Sequence, residues 1–86
     1  KYAADAQKRM LHIKNRLAKY EIAIARFYMR REAFVAAANR GRYVLEHYFD
    51  TEHVQEALEI MVECYDQLKL DDLKNNAMKT AAEMTT

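Results

Sequence analysis

Apolar residues recur with a helical rhythm along almost the whole chain. Ala3, Ala6, Met10, Ile13, Leu17, Tyr20, Ile24 and Phe27 follow one another at spacings of three and four, which lays one apolar seam along a continuous helix of nearly thirty residues. Such a seam predicts a packing face. A self-associating coiled coil is the weaker reading, because Ala3 and Ala6 are small and Tyr20 carries a polar tip. After consecutive charges at "MRRE", a second helix is expected from about Glu32 to Tyr48. Phe34, Ala37, Ala38, Gly41, Val44, Leu45 and Tyr48 fall on one side of it. "FDTEH" then offers Asp50 or Thr51 as an N-cap, with Glu52 in the first turn of a third helix reaching about Leu68. "KLDD" makes the next turn with Asp71 as cap, before a fourth helix to about Met84.

Short turns between helices of similar length imply antiparallel helical hairpins and invite a search for repeats. Ile24, Ala25, Tyr28, Phe34, Ala37, Gly41 and Val44 match the spacing of a tetratricopeptide (TPR) motif. Tyr28, Phe34 and Val44 are then helix-packing positions, and at Ala37 and Gly41 the paired helices approach closely. A degenerate copy follows, with Met61, Val62 and Tyr65 on its first helix and Leu70, Leu73 and Ala77 on its second, its turn one residue shorter. "YAADAQKRML" also echoes "HVQEALEIMV", so the long first helix reads as the first helix of one repeat fused into that of the next. The expectation is an all-α chain of about four helices. Residues 1–86 form a single helical domain of TPR-type hairpins, an α-solenoid, with further repeats upstream because two rarely stand alone.

Composition changes this picture little. Hydrophobic residues make up 51% and charged residues 31%, and one Gly with no Pro leaves almost nothing to build β-turns. The lone cysteine, Cys64, sits among apolar neighbours in "IMVECY" and reads as core filler; it says nothing of redox compartment. The chain has no Ser, so nucleophilic catalysis has no obvious player, and neither enzymatic activity nor a cofactor is expected. His47, Asp50, Glu52 and His53 cluster in "HYFDTEH", but their spacing matches no metal-ligand pattern.

Charge is more informative. The net charge of +1 conceals eleven Lys and Arg against three acids in residues 1–43, a balance of +8, and three Lys against ten acids in residues 44–86, a balance of −7. "KRMLHIKNRLAK" bears Lys8, Arg9, Lys14, Arg16 and Lys19, yet no aromatic interleaves with them for base stacking and the acidic half follows at once. A charge-laced outer face is expected there, and no nucleic-acid partner. On the second helix, Arg40 lies roughly 90° from the apolar stripe, on a flank shared with Ala33, Ala36, Tyr43 and His47. Short neighbours leave its guanidinium clear. The pattern admits a solvated charge or an interface anchor equally. Arg42 falls on the other flank with Asn39 and Glu46, where a local ion pair is expected. A cytosolic TPR adaptor that grips peptides and a basic-helix nucleic-acid binder are the rival function classes.

"DAQKRMLHIKNRLAKYE", "ARFYMRREAFVAAANR" and "HYFDT" together resemble the C-terminal repeats of the BamD family, TPR lipoproteins of the outer-membrane β-barrel assembly machinery, over nearly the whole chain. Two departures stand out: Glu32 where the repeat turn usually has Gly, and Phe49 where the repeat usually ends in Pro. The resemblance implies a non-catalytic scaffold on the periplasmic side of the bacterial outer membrane, tethered by an N-terminal lipid anchor absent from this chain. It also implies that these repeats bind the POTRA region of BamA and contact BamC and BamE-like lipoproteins. Arg40, the arginine of "NR", matches the family's arginine at the POTRA contact. That favours the anchor reading, with Ala36, Tyr43 and His47 beside it.

Overall fold

The structure, a computed structural model, describes residues 4–85. Four α-helices follow in order: α1 (Ala4–Arg30), α2 (Phe34–His47), α3 (Val54–Gln67) and α4 (Asp71–Thr85). Each packs antiparallel against the next, and α3 also touches α1, so α3 lies across the α1–α2 hairpin. It is the central element. Val54, Ala57, Leu58, Ile60, Met61 and Cys64 are all buried on it. They meet Ala18, Ile22 and Ala25 of α1, Ala37, Ala38 and Val44 of α2, and Ala77 of α4. Tyr28 and Phe34 pack half-buried against this core. The arrangement is all-α and TPR-like, stacked hairpins sharing one core.

The packing face of α1 follows the repeat positions Ala25 and Tyr28, with Ile24 half-buried, and not the rest of the longer predicted seam. Met10, Ile13, Leu17, Tyr20 and Phe27 lie in solvent, with Ile13 at 53% and Tyr20 at 64% exposure; Ala3 lies outside the described residues. The buried stripe sits one residue later, at Ala18, Ala25 and half-buried Tyr28, with Ile22 alongside. One residue turns a helix by about 100°. Small alanines win the inner face because they let α2 and α3 come close, which the bulky seam residues would prevent. Residues 4–13 project almost wholly exposed, with only Ala6 half-covered.

Both hairpin turns are built without glycine. After α1 the amide of Ala33 donates to the carbonyl of Tyr28 at 2.8 Å and that of Glu32 to Met29 at 2.9 Å. After α3, Leu70 donates to Tyr65 at 2.9 Å and Lys69 to Asp66 at 3.1 Å. These are two copies of one Schellman ending, with Glu32 (φ 61°) and Lys69 (φ 59°) in the left-handed position. The second turn is therefore as long as the first, not one residue shorter. Leu70 takes the place of Ala33 and stays exposed, instead of matching half-buried Phe34. A side chain at positive φ costs roughly 1 kcal/mol that glycine avoids. Glu32→Gly is expected to raise stability by about 0.5 kcal/mol after glycine's extra chain entropy is deducted. A higher urea midpoint checks this; a lower one contradicts it.

The expected caps are also relocated. Thr51 does not cap α3: its hydroxyl donates backward to the Tyr48 carbonyl at 2.7 Å, closing the end of α2, while His53 occupies the N-cap of α3 with no side-chain bond. Asp71 and Asp72 lie inside the first turn of α4, where their charge complements the helix dipole.

Candidate functional site

An antiparallel hairpin folded about residues 31–33 brings residue 40 of α2 level with residue 21 of α1. There Arg40 Nη1 donates to Glu21 Oε1 at 2.9 Å. The carboxylate is largely buried, its side chain 14% exposed, whereas the Arg40 side chain remains 41% exposed. Hydrogen bonding and the charge of Glu21 raise the Arg40 pKa further above its ordinary value, so the cation is permanent. Arg40 is thus neither a free solvated charge nor buried. One edge of its guanidinium is fixed to α1 and the rest faces outward.

Around it, Tyr28, Ala36, Asn39, Arg40 and Tyr43 line an open pocket of about 330 Å³. Tyr43 stacks on His47 with ring centroids 4.2 Å apart and a tilt of 32°, and meets Tyr48 edge-on at 5.8 Å. Burial first, and then the neighbouring Tyr43 and Glu21, push the Tyr48 hydroxyl above its ordinary pKa, so it stays a neutral donor. Ala36, Arg40, Tyr43 and His47 therefore share one flank of α2, as their spacing requires, and Tyr28 joins them from α1. Asn39 also lines this pocket, at the boundary with the Arg42 flank where its spacing places it. Arg42 instead pairs with Glu46 at 3.1 Å. Sequence reading missed Glu21 and assigned Tyr48 wholly to the core.

Phe34, Ala37, Gly41 and Val44 form the opposite side of α2. Ala37 and Val44 are completely buried. Gly41 faces α3, not its hairpin partner α1. A Cβ there would lie 2.9 Å from Met61 Cγ and 3.0 Å from the Ala57 carbonyl oxygen.

The remaining chemistry is sparse. Cys64 is fully buried, and burial, helped by Glu63, pushes its thiol up to about 11, so it is protonated and inert at neutral pH. Among the described residues no group of three or more His, Cys, Asp and Glu could hold a metal ion, and no helix is long and apolar enough to cross a membrane. The two oppositely charged halves are laced together by Lys14–Asp50 at 3.2 Å and Arg26–Glu56 at 2.6 Å.

A family model described as YfiO, outer membrane lipoprotein, matches residues 1–80. The chain is 54% identical over 71 residues to the outer membrane protein assembly factor BamD of Vibrio cholerae, covering 83% of this chain and 30% of that protein. It is 51% identical over 81 residues to BamD of Pasteurella multocida, covering 94% and 30%. Against BamD of Neisseria gonorrhoeae it is 43% identical over 68 residues, covering 79% and 26%. The chain thus spans about 30% of the length of its curated relatives.

Proposed function

Because the chain belongs to the YfiO family of outer membrane lipoproteins and is a BamD-like region, we propose that it is a non-catalytic scaffold segment of an outer membrane protein assembly factor. Its α2 flank holds the POTRA region of a BamA-type subunit on the periplasmic side of the outer membrane, and accessory lipoproteins of the BamC and BamE kind dock on the same repeats. The observation that carries this reading is the half-exposed Arg40 cation, pinned by Glu21 beside the Tyr43–His47 stack. Such an arrangement suits an acidic side chain on the partner, which meets a pre-oriented guanidinium with aromatic surface around it to exclude water. A peptide-gripping adaptor is less well supported, because two of the α1 cations, Lys14 and Arg26, are engaged with Asp50 and Glu56.

Calorimetric titration of a purified BamA POTRA region into the chain tests the proposal. Saturable binding that weakens as salt is raised is expected. Failure to bind at any salt concentration overturns it.

A further inference from the structure

The α1–α2 hairpin receives a helix across its open side, namely α3. The α3–α4 hairpin presents a comparable open side on which, among the described residues, no further helix packs. There Leu58, Val62, Met78 and Ala81 floor a groove of about 540 Å³, with Met78 at 49% exposure. Its α3 bank is acidic. Glu59, Glu63 and Asp66 follow at spacings of four and three along one line of the helix, and Asp66 alone is neutralised, by Lys74 at 2.8 Å. Glu59 and Glu63 stand four residues apart, a spacing at which like charges repel, and among the described residues neither forms an ion pair.

An apolar trough beside an uncompensated acidic row is complementary to an amphipathic helix whose apolar stripe is flanked by Lys or Arg. We infer that this groove docks such a helix from a partner protein, seated on α3 and α4 as α3 is seated on α1 and α2. The site lies on different helices from Arg40 and does not depend on that reading. The basic α1 of a second copy has related chemistry, with exposed Met10, Ile13 and Leu17 among its cations. A contact of that kind is head-to-tail and gives rings or filaments of many copies, an outcome the oligomeric state distinguishes from a single docked partner helix.

The test uses a fluorescent 18-residue peptide of Leu and Lys at amphipathic helical spacing, a Leu/Glu counterpart with the same apolar stripe, and the chain in about 0.15 M salt. Anisotropy should show the Leu/Lys peptide binding at least tenfold more tightly than its counterpart, with methyl resonances of Val62 and Met78 shifting on titration. Glu59→Gln/Glu63→Gln should weaken binding about tenfold and Met78→Asp about fivefold, while Asp71→Asn/Asp72→Asn, an equal charge change outside the groove, should alter it less than twofold. Circular dichroism confirms that each variant is helical. Equal loss from both double variants, or unmoved Val62 and Met78 methyls, would reduce the effect to general charge attraction and overturn the proposal. Sedimentation showing wild-type oligomers that Glu59→Gln/Glu63→Gln disperses would assign the groove to a second copy and overturn it equally.

Discussion

Replacing Gly41 by Leu is expected to cost about 3 kcal/mol of stability, a large share of what a chain of this size possesses. The first added carbon already meets Met61 Cγ at 2.9 Å and the Ala57 carbonyl at 3.0 Å, and three further carbons have nowhere to go between α2 and α3. Gly41→Ala separates two opposing effects. Alanine gains about 1 kcal/mol of helix propensity. That gain favours stability, but Met61 is buried and the Ala57 oxygen belongs to backbone, so relieving both contacts requires α3 to move. The net expectation is a loss of about 1 kcal/mol. Met61→Ala combined with Gly41→Ala should lose less than the two single changes added together, because the shortened side chain vacates the place the new methyl needs. Urea midpoints of the four proteins read this out. An unchanged midpoint for Gly41→Leu would show that α2 is rotated away from α3.

Arg40→Ala is expected to weaken binding to the BamA POTRA region at least tenfold, as truncation of a central arginine anchor typically does. Arg40→Lys should recover part of the loss, since an ammonium keeps the charge but cannot span Glu21 and a partner carboxylate with one planar fork. Arg42→Ala, whose ion pair with Glu46 is local and exposed, should change binding less than twofold. Folding is not silent in the Arg40 variants, because removing the guanidinium leaves the largely buried Glu21 carboxylate without its partner. Glu21→Gln distinguishes the two contributions. It retains an acceptor for Arg40 while removing the competing charge, so helicity should persist and POTRA binding should hold or tighten. If Arg40→Ala binds like wild type, or Arg42→Ala is the variant that fails, the interface has been placed on the wrong flank.

How much of this was legible in sequence differs by element. The helices and their antiparallel hairpins follow from periodicity, because apolar spacing of three and four has no other regular solution in a chain nearly without Gly and Pro. The inner face of α1 was legible only in part: the repeat spacing picked out Ala25 and Tyr28, but the longer seam was assigned to the outer row. The helix carries two parallel rows of nonpolar residues, and the bulkier row scores higher on any count of hydrophobicity, whereas close helix approach selects the row containing Ala18 and Ala25. Choosing the outer row displaces Glu21 from view, since it lies on the inner one. Pairing residues across the turn at 31–33 would have found it, as one of only three acids in the basic half standing level with Arg40. The Schellman endings were hidden because Glu32 and Lys69 occupy a position where glycine is the usual signal.

The length of α1 ties its projecting end to the Arg40 pair. The helix runs 27 residues with neither Gly nor Pro to act as a hinge, and its exposed first third stands clear of the body. Met10 and Glu21 are separated by about 16 Å along that axis. Across that span the helix is a stiff rod, and Ala18, Ile22 and Ala25 seat it in the core on either side of Glu21. The carboxylate that grips Arg40 is thereby held at a fixed place on the rod, and the guanidinium is oriented by two helices at once.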